Sequence, residues 1–381
     1  MFKVLIWDYA GVSAQWLDQV ADMKDIEVVD TIKPKEPVPE ILLKRDAWDW
    51  LLIFEQGTRQ FFDATIQTLQ LPPERVIYAL DMNSWIQHPK AAFALTDMQR
   101  AGDILLNVNF AISRQLSNFV TCTVEGLNYI ATSQDEILRM MYTSRVNYTE
   151  NNMKNFQALA KKYYGVDDGA GLFLDLGANI GTTGIYFLKK LAPNLKLLAF
   201  EPDPENFKLH QINLMLNDIG DDKATVVNSG LGDKTDEMTM YKWIGNPGGN
   251  TVFQYLGNMP TETIKIIPLD DSFAKNKIAA RDVKYIWIDT EGFEPQVLLG
   301  AKNLLRENPA PIFMECNLRA WDSSGAFDNM MALLAENYSH FIHFYRGEKL
   351  YPLDALRTME RPNNALGQCG DIFLIRKGAI D

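Results

Sequence analysis

A chain of 381 residues with 47% hydrophobic and 11% aromatic side chains can build ordinary cores, and its length suits two domains better than one. A net charge of −12 without any Lys/Arg cluster argues against a nucleic-acid partner, and against an anionic membrane, because phosphate binding draws its affinity from neutralised charge. Cys122, Cys316 and Cys369 show no C-x-x-C spacing; they read as core thiols in a reducing compartment, with no zinc site.

The opening MFKVLIWDYAG holds only a strand's worth of apolar residues before Asp8, so neither a signal peptide nor a membrane anchor is expected and the protein is placed in the cytoplasm. Lys3 to Trp7 predicts a buried strand, Val12 to Met23 a helix, and Ile26 to Val29 a second strand ending at Asp30. Trp50 to Phe54 and Val76 to Ala79 continue the strands, with a helix over Gln60 to Leu69 between them. Residues 1–100 therefore read as a small Rossmann-like α/β domain. Its first turn carries Gly11 alone, which is too few glycines for a nucleotide, so a structural, acceptor-recognition or homodimer-forming role is expected. Trp7, Trp16, Trp48, Trp50 and Trp85 are assigned to core or interface.

Residues 101–165 form a connection. Phe119 to Val124, Glu125-Gly126 and Leu127 to Ala131 predict a hairpin, and helices around Asp135 to Met141 and Met153 to Tyr164 are expected to lead into the sheet and cap the cofactor.

Over residues 166–381 the rhythm changes to strands with chemistry at their ends. Leu172 to Leu174 runs into DLGANIG, residues 175–181, and then a helix from Thr182 to Leu191. Such a turn sets backbone N–H groups beside a carboxylate. A dinucleotide turn needs a glycine where Asn179 stands, which argues against a nicotinamide cofactor. S-adenosylmethionine has no phosphate; its sulfonium, amino-acid group and ribose diol suit Asp175, the glycine turn and a second carboxylate, Glu201, at the next strand tip.

Further tips end at Asn228 and Ser229, Asp289 and Glu315, and in an open parallel sheet these converge on one edge. Asp203 and Pro204 start a helix with Leu209, Ile212 and Leu216 facing inward and Gly220 closing it; His210 is placed on its surface. After Pro295, the residues Val297, Leu298, Ala301, Leu304 and Leu305 form one apolar stripe. Glu294 reads as a helix N-terminal charge. Met330 to Leu334 predicts a helix, and Phe341 to Tyr345 and Ile372 to Ile375 an antiparallel edge; His340 and His343 flank the first of these strands.

DLGANIG, FEPDPEN (200–206), IPLDDSF (267–273), IDTEGFE (288–294) and PIFME (311–315) together resemble the FkbM-type family of class I methyltransferases, over roughly residues 145–381. The resemblance implies a seven-stranded, mostly parallel sheet with an antiparallel edge, S-adenosylmethionine as cofactor, and methyl transfer to oxygen. It implies that Asp175, Gly177, Asn179 and Gly181 hold the methionine end, Glu201 the ribose, and that Asp289 faces the methyl group; Ser229 and Asp233 are candidates for the adenine. Asp289 is the expected base and Glu291 a second base or acceptor ligand. Glu315 and Asn317 could complete an oxygen set suited to Mg²⁺, but the same Glu315 serves an acceptor equally well, and no metal is assigned. The expected acceptor is a sugar or other small-molecule hydroxyl; transfer to nitrogen, or an assembly protein that binds the cofactor without turnover, are the alternatives.

Overall fold

The computed structural model describes residues 2–8, 26–33, 40–55, 59–78, 110, 112–167, 169–243, 246–254, 259–347, 349–361 and 368–380. Gly11, Trp16, Trp85 and the helix expected over residues 12–23 lie outside these, as does the Cys369 side chain. The chain forms two compact units, residues 1–120 with 142–144, and residues 121–141 with 145–381. The second therefore takes in most of the segment that the sequence reads as a connection.

In the first unit, strands β1 (Phe2–Asp8), β2 (Ile26–Ile32), β3 (Trp50–Phe54) and β4 (Val76–Tyr78) form a parallel sheet in the order β2-β1-β3-β4. Helix α1 (Arg59–Thr68) buries Phe62 and Ile66, and Phe62 meets Trp7 edge-on with ring centroids 5.0 Å apart. Trp7 and Trp48 are core residues. Asp30 is exposed.

All but the first two residues of the hairpin of β5 (Phe119–Val124) and β6 (Leu127–Thr132) belong to the second unit. Its turn has positive φ at both Glu125 (51°) and Gly126 (77°), the twist that matches two-residue hairpin loops. Helices α2 (Glu136–Ser144) and α3 (Glu150–Tyr164) follow. The main sheet is built from β7 (Gly171–Leu176), β8 (Leu195–Phe200), β9 (Ala224–Val227), β13 (Val283–Ile288), β14 (Ile312–Asn317), β15 (Tyr338–His343), β16 (Leu350–Pro352) and β17 (Gln368–Arg376). A separate three-stranded sheet holds β10 (Gly230–Leu231), β11 (Asp236–Tyr241) and β12 (Thr261–Ile267).

The main sheet runs β16-β15-β17-β14-β13-β7-β8-β9, eight strands where seven are expected. The extra strand is β16, a three-residue edge ending in Pro352, a residue that an edge tolerates because it has no N–H to donate. From β9 to β14 the strands are parallel; β17 enters antiparallel between β14 and β15. The order reverses between β7 and β13, so their C-terminal tips open the crevice where ligands enter such sheets.

Strand β13 shows how the two faces are covered. Its aromatic residues Tyr285 and Trp287 pack under Phe156 of α3, and Trp287 stacks on Phe313 with centroids 3.7 Å apart. Ile286 and Ile288 face the other way, into a core shared with Val297, Leu298, Ala301, Leu304 and Leu305. That stripe is as expected, but it belongs to two short helices, α7 (Glu294–Leu299) and α8 (Lys302–Glu307), which follow α4 (Thr182–Tyr186), α5 (Pro204–Leu216) and α6 (Leu269–Asn276). Helices α9 (Leu318–Ser323) and α10 (Phe327–Asn337) complete this face. Burying one such large apolar side chain is worth about 1.5–3 kcal/mol, so each face contributes substantially to the fold.

Helix α5 departs from the sequence reading. Ile212 and Leu216 are 41% and 42% exposed, whereas Asn206, His210, Asn213 and Asn217 are buried, and the helix stops at Leu216, ahead of Gly220. Asn213 Oδ1 accepts the Ile130 N–H (2.7 Å), and its Nδ2 donates to the carbonyls of Ile130 (3.1 Å) and Ile180 (2.9 Å). Asn217 repeats the pattern on Asn128, accepting its N–H at 2.9 Å and donating to its carbonyl at 2.7 Å. The free edge of β6 is thus paired by asparagine amides, because a buried strand edge needs its main-chain groups satisfied. Among the described residues no helix is long and apolar enough to cross a membrane.

Candidate active site

The site begins at the turn after β7. Gly177 has φ 93° and donates its N–H to the Phe200 carbonyl at 3.0 Å; a Cβ there would lie 1.8 Å from the Asp289 carbonyl oxygen. Only glycine lets the tips of β7 and β13 come this close. Gly181 has φ 88° at the start of α4, and the space a Cβ would fill is taken by the His210 ring, 2.2 Å away. His210 is therefore buried beneath the loop and not on the surface; burial pushes its pKa down to about 3, so it stays neutral.

Between these glycines Asn179 sits at φ 48° and donates its N–H to Glu201 Oε2 at 2.7 Å. Glu201 Oε1 accepts the Asp203 N–H at 2.8 Å. Burial pushes Glu201 up to about 8, opposed by those two N–H donors. Asp203 caps α5 by accepting from Glu205 N and Asn206 N, with Pro204 in the first turn as expected.

Gly177, Asn179, Glu201, Asp289 and Glu291 line a cavity whose far wall is apolar: Phe200, Leu231, Val252, Ile266 and Phe293. Its roof is the segment 246–250, Asn-Pro-Gly-Gly-Asn, tied to the start of α5 by Asn250 Nδ2 donating to Asp203 Oδ2 (2.8 Å) and Asn206 Nδ2 donating to the Pro247 carbonyl (3.3 Å). A second cavity, lined by Glu136, Ile137, Met140, Tyr148 and Trp287, shares the wall of Gly177, Asn179, Asp289 and Glu291 with the first. Of the two helices expected to cap the cofactor, α2 lines this second cavity only and α3 lines neither. Both polar atoms of the Asn179 amide are buried without a partner among the described residues, on the wall common to both cavities.

Asp289 follows β13, its N–H donating to the Leu176 carbonyl at 2.9 Å. Burial pushes its pKa up to about 8, and the charges of Asp371, Glu294 and Asp175 add to this. One oxygen each from Asp289, Glu291 and Glu315 lies within 4.8 Å of the other two, so these carboxylates are the set that could hold a divalent cation. Glu291 and Glu315 are raised well above the usual carboxylate range, by burial first and then by their acidic neighbours. Asn317 Nδ2 donates to Glu315 Oε2 at 2.6 Å, and its Oδ1 is buried without a partner among the described residues.

Not every expected residue reaches the cavities. Asp175 is buried and lines neither; burial pushes its pKa up to about 7, and its Oδ2 has no partner among the described residues. Gly181 is covered by His210. Ser229 donates to the carbonyls of Gly230 (2.9 Å) and Lys265 (3.0 Å) and lines neither cavity. Asp233 lines a separate depression with Lys234 and Asp236. His343 accepts the Tyr345 N–H at 3.2 Å and lines neither cavity. Glu294 stands in the first turn of α7 as expected, but it is fully buried and lines neither cavity. The sequence reading missed Tyr148, Trp287 and the Asn-Pro-Gly-Gly-Asn roof; only the last left a local signal, its cluster of turn residues.

No curated protein matches the chain. Among solved structures it is similar to an FkbM methyltransferase from Methylobacillus flagellatus KT, at 14% identity and TM-score 0.37, covering 97% of this chain and 89% of that one. It is also similar to an O-methyltransferase from Bacillus cereus in complex with SAH, at 12% identity and TM-score 0.34, covering 60% and 82%. Residues 175–341, which contain the turn, both carboxylate tips and the loop after β13, match the family model of the methyltransferase FkbM domain.

Proposed function

We propose that the protein transfers a methyl group from S-adenosylmethionine to a hydroxyl oxygen of a sugar or other small molecule. The observation that carries this is the pair of cavities meeting at Asn179, Asp289 and Glu291, one with an apolar wall and a buried carboxylate, the other mixed in character. The first suits the cofactor: Leu231, Ile266 and Phe293 offer adenine a flat apolar bed in place of the Ser229 and Asp233 named from sequence, and Glu201 can accept from ribose hydroxyls. The partnerless Asn179 amide fits a polar amino-acid group. When bound, this cofactor supplies a methyl group on a sulfonium whose charge is lost in transfer.

The protein's own part is alignment and proton removal. Asp289, raised to about 8, stands at the boundary between the cavities, where a carboxylate of that affinity can take the proton of an attacking hydroxyl near neutral pH. Glu291 beside it can hold a second hydroxyl of the acceptor. One observation favours a second reading, transfer to an amine: the acceptor cavity is lined by Glu136, Asp289 and Glu291 and by no Lys or Arg among the described residues. We also propose that residues 1–100 pair two copies or recognise the acceptor, and that the protein works in the cytoplasm.

Incubation with radiolabelled S-adenosylmethionine and a panel of sugars, sugar nucleotides, small alcohols and amines tests the function. Label in an alcohol supports oxygen transfer, and label only in amines selects the second reading. Tight cofactor binding without any transfer would leave an assembly protein.

A further inference from the structure

The loop from Asp289 to Phe293 is held by one buried carboxylate. Glu294 opens α7, and its side chain turns back into that loop. Oε1 accepts the N–H of Thr290 (3.0 Å), the hydroxyl of Thr290 (2.9 Å) and the N–H of Gly292 (3.2 Å). Oε2 accepts the indole N–H of Trp321 at 2.6 Å. Neither Glu294 nor Trp321 has any exposed surface.

The loop needs such a hold. Glu291 lies at φ 50° and Gly292 at φ 98°. A glutamate in the left-handed region persists only where its surroundings impose it. The two amides that Glu294 binds flank Glu291, and the first follows Asp289, so one oxygen fixes the backbone on which both carboxylates ride. At its far side the clamp is anchored to α9 through Trp321, whose ring is itself packed against Phe327.

We propose that Glu294 is a positioning residue of the transfer reaction: it touches neither cavity, and acts by holding Asp289 and Glu291 at the angle that brings them to the boundary between cofactor and acceptor. This rests on the reading of Asp289 as the group beside the acceptor. It separates the work of the two loops. Glu201 and the Gly177–Asn179 turn are fixed by hydrogen bonds that do not involve Glu294, while the backbone that carries Asp289 and Glu291 depends on it.

The test is Glu294→Gln, which keeps the volume but gives up one of the two acceptor oxygens, so that it cannot serve both Trp321 and the loop. The expected result is a fall in kcat of roughly tenfold to a hundredfold, the loss that a displacement of about 1 Å at a reacting group produces. The Kd for S-adenosylmethionine, read by calorimetry, should stay within about threefold, well under the ~1.4 kcal/mol of a tenfold change. Trp321→Phe, which frees Oε2 alone, should show the same kcat-selective loss to a smaller degree. Amide exchange at Thr290 and Gly292 should quicken in Glu294→Gln, independently of turnover. An unchanged kcat, equal losses in kcat and cofactor affinity, or unchanged exchange at both amides would each overturn the assignment. A native protein that methylates nothing would sink the methyltransferase reading and this assignment with it, and quickened exchange would distinguish that failure from failure of the clamp.

Discussion

Glu201 and Asn179 are joined across the sheet edge: the Asn179 N–H donates to Glu201 Oε2 at 2.7 Å, so the carboxylate at the tip of β8 also fixes the turn after β7. Replacing Glu201 with Ala removes the ribose acceptor and loosens that turn together. Cofactor affinity should fall by about 1.5–3 kcal/mol, the usual worth of a hydrogen bond to a charged group. Isothermal calorimetry checks this; unchanged affinity would take Glu201 out of the site.

Asp289→Asn should leave cofactor binding nearly intact and lower turnover roughly tenfold or more, because the residue's proposed work is removal of the acceptor proton. Steady-state kinetics alongside calorimetry separates the two. Equal losses would place Asp289 in the cofactor set.

Three carboxylates within 4.8 Å of one another make metal dependence a direct question. EDTA is expected to leave turnover unchanged. Activity abolished by chelation and restored by Mg²⁺ would make Asp289, Glu291 and Glu315 its ligands.

Asn213→Ala strips the partner from the Ile130 N–H and from the Ile130 and Ile180 carbonyls. Leaving such groups buried and unpaired should cost about 2–4 kcal/mol of stability. Urea unfolding monitored by fluorescence would show it, and a loss below about 1 kcal/mol would mean that water replaces the amide.

Stability should also depend on pH through Asp175 and Glu201, raised by burial from 3.8 and 4.5 to about 7 and about 8. Both bind a proton more tightly folded than unfolded, so their contribution is full below about pH 4 and is lost as pH rises through about 7 to 8. The melting temperature of the ligand-free protein should accordingly fall between about pH 5.5 and about pH 8.5, and Asp175→Asn should flatten the slope. A melting temperature that rises over that interval would contradict it.

Much of this was legible in the residues. The hairpin, the strand tips at Glu201 and Asp289, and the stripe from Val297 to Leu305 all follow from local pattern, since alternation, turn residues and helical spacing act within a few positions; β14 runs two residues past Glu315, where its end is expected. What was not legible depends on a partner distant in sequence. Helix α5 buries asparagines against β6, 83 residues or more away, so its inward face has no apolar period to read. Glu294 is legible as a helix-start charge, but its burial depends on Trp321, 27 residues on, whose indole N–H donates to it. The three-residue β16 exists only because β15 offers it an edge.

The placement of β17 has a consequence for how the chain is made. Residues 368–376 fill the gap between β14 and β15, so during synthesis β15 and β16 emerge with no neighbour to join them to the parallel strands. The half of the sheet that carries the turn and Asp289 can assemble earlier, yet the far edge must wait, exposing apolar strand surface at Phe341 and Ile342 until the closing segment arrives. Nascent chains halted before residue 368 should therefore be the ones that chaperones hold and proteases cut.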